Sequence, residues 1–172
     1  MTDLRPTIER LQRNRAALCS AVERLSPALW RQKPQPESWS AGEVIAHLTM
    51  VESAIISGAT KVLQHPPRHV PLWKRPHVPV AIVEWRGLKR KTPIPLDASL
   101  VGEKEPMLES FAALRQKTLA FLEEHRSADL SPYRWPHPFL GYLNLYEWFE
   151  VIARHEARHT KQIREIVELF QK

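Results

Sequence analysis

Two histidines near the carboxyl-terminal end of the chain have the spacing of metal ligands on one helix. His155 and His159 lie four positions apart within residues 144–170. Large apolar side chains recur in the same stretch at steps of three and four: Trp148, Ile152, Ile163 and Ile166. On an α-helix this spacing forms one buried face. Two imidazoles at i and i+4 lie about 6 Å apart along the axis, so both can bind one ion.

A third histidine, His47, lies on the apolar face of a second amphipathic stretch, residues 41–56. A single histidine on such a face is usually a core residue whose ring nitrogens are hydrogen-bonded. Burying three imidazoles in one protein costs free energy unless each is satisfied, and one shared cation satisfies all of them. We therefore predict a divalent metal site formed by His47, His155 and His159.

Three neutral nitrogen ligands leave one coordination position open, as in catalytic rather than structural metal sites. A water bound there has a pKa of about 7, and a thiol bound there is held as the thiolate. The pattern predicts a metal-dependent enzyme in which the ion activates a water or a thiol as the nucleophile. Zinc or nickel is the first expectation, with iron or manganese as further options. No catalytic side chain beyond the ligands is assigned.

Polar residues near these histidines are candidates for orienting the rings: Glu43, Glu52, Glu150, Glu156 and Gln162. Ligand histidines use their second ring nitrogen for such a contact. Gln162 is the best placed, because it follows His159 by three positions on the same side of the helix. For the four glutamates a solvent-exposed position is the simpler expectation.

Two alternatives remain open. Residues 155–159 match the HExxH motif of zinc metallopeptidases, in which the glutamate is the general base. Only thirteen residues follow His159, which leaves little room for a helix carrying a third ligand, although Glu165 and Glu168 are present. Residues 144–151 also continue the helix instead of forming an edge strand for a peptide, so this alternative is less favoured. The other alternative is a non-catalytic metal-stabilised bundle that binds a small molecule or a protein partner.

Hydrophobic periodicity predicts four helices, over residues 2–25, 40–63, 105–126 and 144 to the end. Ser40 and Glu43 form a capping-box pattern at the start of the second helix. Residues 65–106 contain eight of the 15 prolines and predict a long crossover, with a short strand or helical turn at 78–85. Residues 127–142 are predicted to be a loop. Because a long crossover lets consecutive helices run parallel, the fold class is all-α, a four-helix bundle.

The composition is that of a globular protein. With 172 residues, 43% hydrophobic and 26% charged, we expect a single domain over residues 1–172. The one cysteine, Cys19, excludes an intramolecular disulfide and is expected to be a small buried residue. No apolar run approaches the ~20 residues of a membrane span and no secretion signal is visible, so no membrane partner and a cytoplasmic location are expected.

The net charge of +6 raises the question of a nucleic-acid partner. The basic residues are scattered, and the densest cluster, beside Trp85, is short: Arg86, Lys89, Arg90 and Lys91. A solvated basic loop is the simpler interpretation, so we expect a small-molecule partner and no nucleic acid. His65, His69 and His77 lie in the crossover and are expected to be surface residues.

Two segments resemble the DinB/YfiT-like family of metalloenzymes. Residues 36–48, Pro-Glu-Ser-Trp-Ser-Ala-Gly-Glu-Val-Ile-Ala-His-Leu, are similar to the segment that opens the family's second helix. Residues 137–141, the pair Glu147-Trp148 and residues 155–163 are similar to the segment that leads into and through its fourth helix. The resemblance covers the second and fourth helices with the loop before the fourth, about a third of the chain, and residues 65–106 match nothing in it.

The resemblance implies a DinB-like four-helix bundle of up-down-down-up topology with a divalent metal on His47, His155 and His159. The family includes enzymes that use mycothiol or bacillithiol as the attacking thiolate, proposed metal-dependent hydrolases and many members with no known reaction. With this resemblance we expect a transferase or a hydrolase that activates a low-molecular-weight thiol or a water against a small electrophilic substrate. Members often dimerise, so a homodimer is an open expectation. DNA repair does not follow from the family's name.

Overall fold

Four α-helices make up most of the protein, and the prediction of four helices is confirmed. The computed structural model describes residues 2–85, 87 and 98–171. The helices are α1 (Arg5–Glu23), α2 (Ala41–Leu63), α3 (Lys104–Glu124) and α4 (Leu145–Phe170). Within the described part of the chain, none of the helices is long and apolar enough to cross a membrane.

The helices that carry the three histidines, α2 and α4, both begin at a capping box. The Ser40 hydroxyl accepts the backbone N–H of Glu43, and the Glu43 carboxylate accepts that of Ser40. Asn144 and Glu147 make the same reciprocal pair at the start of α4. Each box satisfies N–H groups that the first helical turn leaves without partners. Local sequence therefore fixes where both histidine-bearing helices begin.

The apolar face predicted for α4 is buried. The side chains that define it are all less than a tenth exposed: Trp148, Ile152, Ile163 and Ile166. Apolar residues of α2, among them Val44 and Leu48, pack in the same core as Ile163 and Ile166. Since His47, His155 and His159 share these faces, packing of α2 against α4 turns the imidazoles toward each other.

A two-stranded antiparallel sheet lies where a loop was predicted. Strand β1 (Arg134–His137) pairs with β2 (Gly141–Asn144), with Trp135 opposite Leu143. Gly141 has a φ of 96°, which side chains rarely adopt, and this permits the tight connection. The structure is mostly helical, as the all-α fold class predicts, and this short hairpin is an addition to the four helices. Four-residue strands are too short to show a clear alternation, and Pro136 argues against a strand except at an edge.

The crossover between α2 and α3 contains short 3-10 helices, at Leu72–Lys74, Val80–Glu84 and Ala98–Leu100. The expected strand or turn at 78–85 is therefore a helical turn. Glu84 attaches it to α4, because its carboxylate lies 3.6 Å from Arg154 and 3.0 Å from Lys161. The basic cluster Arg86, Lys89, Arg90 and Lys91 lies outside the described residues.

Hydrogen bonds between helices give their relative directions. In the contacts between α1 and α4, the residue numbers of both partners increase together: Thr7 to Glu150, Asn14 to Ala153 and Arg24 to Gln171. These two helices therefore run parallel. Contacts between α1 and the chain around α3 run the other way: Arg15 to Phe111 and Leu25 to Lys104. The start of α2, at Gly42, packs against Val101, and Glu52 bonds Thr118 further along, so α2 and α3 run parallel.

Four charged side chains, one from each helix, form a buried charge network: Arg15, Glu52, Arg115 and Glu156. Their exposed fractions are 8%, 2%, 2% and 1%. Arg15 lies 2.7 Å from Glu52 and 2.5 Å from Glu156, and Arg115 lies 2.8 Å from each. The Thr118 hydroxyl adds a hydrogen bond to Glu52 at 2.7 Å. With two charges of each sign, the network is neutral, which offsets the cost of burying it.

Replacing Glu52 by glutamine should destabilise the fold strongly. The Glu52→Gln variant leaves two buried arginines facing one carboxylate, and breaking a buried pair in this way costs about 3–5 kcal/mol. The measurement is the free energy of unfolding in urea. Glu123→Gln is the matched control, because Glu123 makes an exposed pair with Arg126 and should lose less than about 1 kcal/mol. Equal losses in the two variants would contradict the role of the network.

The charge network should also make stability depend on acid. Burial alone would raise the pKa of Glu52, but hydrogen bonds and charge from Arg115, with the charge of Arg15, hold the pKa below its ordinary 4.5. A depressed folded pKa contributes stability above pH 4.5, and this is lost as pH falls through the folded value. The free energy of unfolding should therefore fall more steeply below pH 4.5 in the wild type than in Glu52→Gln. Parallel pH profiles would argue against this assignment.

Candidate metal centre

The three predicted histidines come together between α2 and α4. His47 lies in the second turn of α2, and His155 and His159 lie on consecutive turns of α4. The Nε2 atom of His155 is 3.2 Å from Nε2 of His47 and 3.1 Å from Nε2 of His159. One nitrogen from each ring lies within 4.8 Å of the other two. The convergence of imidazoles from two helices, inferred from spacing, is thus present in the fold.

These separations suit a single divalent ion. Metal–nitrogen bonds of about 2.0–2.1 Å at tetrahedral angles put neighbouring nitrogens about 3.3 Å apart, close to the 3.1 and 3.2 Å found here. A ring nitrogen offers either one lone pair or one proton. Direct hydrogen bonding therefore satisfies only one of the two contacts of His155 Nε2 well, whereas one cation can satisfy three lone pairs. The residues present fit a divalent metal.

Burial keeps the rings in the form that binds metals. It lowers the pKa of His47 to about 4. Burial also lowers the pKa of His155 well below 6.5, and the neighbouring His159 and His47 act in the same direction. Neutral imidazole is the ligating form, since a protonated ring has no free lone pair. At neutral pH these two rings need lose no proton before an ion binds.

Gln162 orients one of the rings, as its spacing predicts. Its side-chain oxygen lies 2.9 Å from Nδ1 of His159, one turn earlier on α4. Because an amide oxygen only accepts, Nδ1 carries the proton and Nε2 presents its lone pair to the other two rings. Nδ1 of His47, in contrast, is buried with no hydrogen-bond partner among the residues that the structure describes.

Trp39 forms one wall of the cluster and was not among the predicted site residues. Its ring centroid lies 4.9 Å from that of His47 and 6.0 Å from that of His159. Two signals in the sequence point to it: its place just before the Ser40 cap, where a side chain packs back onto the first turns of the helix, and its place in the resembling segment 36–48. Trp39 therefore shields two of the three rings from water.

The four candidate glutamates make their contacts elsewhere, and most are not on a solvent-exposed face. Glu43 caps α2 and lies 3.0 Å from Lys33. Glu150 accepts from Thr7 and pairs with Arg154. Glu52 and Glu156 belong to the charge network. The expectation of exposure is wrong for Glu43, Glu52 and Glu156, because partners from other parts of the chain stabilise their buried carboxylates.

The position of Glu156 does not suit a peptidase of the HExxH type. In that chemistry the glutamate of the motif must reach the water to be activated. Here its two carboxylate oxygens bind Arg15 and Arg115, and the residue is 1% exposed. Glu156 therefore holds the helices together instead of facing a reactant.

The other predicted histidines and the cysteine lie outside the cluster. His65 and His69 are exposed, as expected. His77 is not a simple surface residue, because its Nε2 lies 2.7 Å from Glu147 and the side chain is only 19% exposed. Cys19 is half-buried, and burial raises the pKa of its thiol, which does not favour a nucleophile.

Comparisons with known proteins agree with this geometry. A family model described as the DinB superfamily matches residues 10–163, a span that contains all three histidines and Gln162. A protein of Bacillus subtilis (strain 168), named Uncharacterized protein YuaE, is 28% identical over 151 residues, which are 86% of this chain and 89% of that protein. The name of YuaE assigns no reaction. The resemblance found in the sequence is confirmed: the chain belongs to the DinB superfamily.

Proposed function

We propose that this protein is a metal-dependent enzyme whose divalent ion is held by His47, His155 and His159. The observation that carries the proposal is the convergence of three imidazole nitrogens from two helices within 4.8 Å. Membership of the DinB superfamily supports it. When bound by three protein ligands, the ion supplies an open position at which a water or a low-molecular-weight thiol becomes a nucleophile at neutral pH. The substrate class is a small electrophile.

Residues of this chain would prepare the reactants. Gln162 fixes the tautomer of His159, and Trp39 covers two rings, so water reaches the cluster from fewer directions. The turn Val80–Glu84 is attached to α4 on both sides of the histidine pair, through Arg154 and Lys161. We propose that this turn, which is held beside the histidine-bearing part of α4, contacts the substrate.

A non-catalytic metal-stabilised bundle that binds a small molecule or a partner is the second candidate. It is favoured by the small space beside one ligand. The cavity that His155 lines together with Glu52, Arg115 and Glu156 measures about 10 Å³, room for about one water.

Finer features of the architecture are part of this proposal. Parallel α1 and α4, with parallel α2 and α3 opposite to them, support the up-down-down-up topology of the resemblance. The single domain over residues 1–172, the cytoplasmic location, a small-molecule partner with neither nucleic acid nor membrane, and a homodimer stay predictions.

Metal content tests the ligand assignment. After loading with zinc or nickel and desalting, the wild-type protein should retain about one equivalent per chain, because three imidazoles bind tightly. The His155→Ala, His159→Ala double variant should retain almost none, as measured by elemental mass spectrometry. His65→Ala is the control, since His65 is exposed and outside the cluster. Retention of a full equivalent by a folded double variant would refute the site.

The same samples separate the two candidate functions. Chelation should lower the melting temperature in either case, because the ion binds only the folded state. Only an enzyme should also show metal-dependent thiol conjugation or hydrolysis in a screen of small electrophiles. A melting-temperature shift without any turnover would favour the non-catalytic bundle.

Gln162→Ala should weaken the metal site without unfolding the protein. Loss of a partner that orients a ligand histidine typically costs about 10–100-fold in metal affinity. The measurement is competition with a zinc-binding dye. Gln64→Ala, at an exposed glutamine beyond the end of α2, is the matched control and should leave the affinity unchanged. Unchanged affinity in Gln162→Ala would mean that the contact does not position His159.

A further inference from the structure

A second cleft lies at the end of α2 opposite to His47. Its volume is about 590 Å³, within the range of about 300–1,000 Å³ that is typical of small-molecule sites. The end of α2, residues 64–71 of the crossover and the hairpin form its walls. Lys61 follows His47 by fourteen positions on α2, about 21 Å along the axis. The cleft is therefore separate from the candidate metal centre.

Positive charge gathers around this cleft. Four cationic side chains from three parts of the sequence line it, with no aspartate or glutamate among the lining residues: Lys61, Arg68, Lys74 and Arg134. Lys61 and Arg68 are exposed, and neither has a carboxylate partner in the part of the chain that the structure describes. Arg134 lies 3.9 Å from Glu147. A concave site with one sign of charge attracts the opposite sign, so the cleft favours an anion.

Aromatic side chains form the inner wall. Tyr133, Trp135 and Tyr142 line the cleft and are half-buried. Trp135 is held in place by stacking on Trp148, with ring centroids 4.6 Å apart and planes 12° apart. Its other neighbour is Gly58, where an added Cβ would lie 3.3 Å from the indole. Trp135 is therefore held firmly, and Tyr133 and Tyr142, which also line the cleft, offer apolar ring surface to a ligand.

We propose that this cleft binds a small organic anion with a flat ring, of the aryl phosphate class. Lys61 and Arg68 bind the anionic group, and the aromatic wall, including Tyr142, contacts the ring. A concave site of this volume fits one small molecule, whereas a nucleic-acid strand needs an extended basic stripe. Leu72 and Trp73 are exposed beside the cleft, so a lipid surface is the competing occupant that the experiment must separate.

The test is isothermal titration calorimetry, in which the full chain is titrated with phenyl phosphate at low salt. Lys61→Gln and Arg68→Gln should each weaken binding about tenfold, the loss of one charge-assisted hydrogen bond. Lys117→Gln, at an exposed lysine of α3, is the matched control and should change nothing. Phenol should bind at least about tenfold more weakly than phenyl phosphate, since it lacks the charge. Tyr142→Leu should weaken phenyl phosphate and leave inorganic phosphate unaffected.

Several results would overturn the proposal. The first is that phenyl phosphate does not bind at millimolar concentration. The second is that Lys61→Gln and Arg68→Gln bind it as well as the control does. The third is that the protein binds only phosphatidylserine vesicles or an oligonucleotide. Loss of phenyl phosphate binding in the His155→Ala, His159→Ala variant would place the ligand at the histidine cluster instead. Circular dichroism of each variant shows that the fold is intact. The outcome is independent of the metal-content experiment, so either idea can fail alone.

Discussion

Mutual neutralisation of two arginines and two glutamates between the helices is the interaction on which the candidate metal centre depends. Glu52 lies five positions after His47 on α2, and Glu156 lies between His155 and His159 on α4. Both carboxylates bind the same pair of guanidinium groups, from α1 and α3. A shift of α2 along α4 would break these contacts and leave buried charges unpaired, at a cost of several kcal/mol. The network therefore fixes the register of the two histidine-bearing helices. It does so at positions that lie no more than about two helical turns from the imidazoles.

This arrangement also explains why one short motif can be misread. The sequence from His155 to His159 has the form of a peptidase motif, and its two histidines do belong to a cluster that could hold a metal ion. Its glutamate is rotated away from them on the helix and meets arginines from α1 and α3 instead. An i, i+4 pair of histidines specifies a shared face, whereas the residue next to His155 faces another direction by about 100°. The role of that residue is therefore decided by whichever helix packs there.

Local patterns predicted the parts of the protein that local forces determine. The four helices, the Ser40 capping box, the convergence of three histidines and the contact of Gln162 all follow from spacings of three and four residues. The hairpin was not predicted, because its strands are four residues long and one of them includes a proline. The charge network was not predicted either. Arg15 lies on the apolar face of α1 with Leu11, Leu18 and Val22, but an arginine is normally expected to be exposed. Its partners are 37 and 141 residues away, and no short-range pattern carries that pairing.

The two ends of α2 differ in the charge of the side chains around them. At the histidine end burial lowers the pKa of His47 and His155, so these rings are neutral. The nearby charge network also sums to zero, so an ion held there would keep its positive charge and favour an anionic fourth ligand such as hydroxide or thiolate. At the other end Lys61 and Arg68 face solvent without a carboxylate partner among the described residues, Lys74 follows in the same crossover, and the fold adds Arg134 from the distant hairpin. A scattered set of basic residues in the sequence thus becomes a local field only after folding. The two proposed sites therefore use different interactions, coordination at one end of α2 and charge at the other, so neither proposal requires the other.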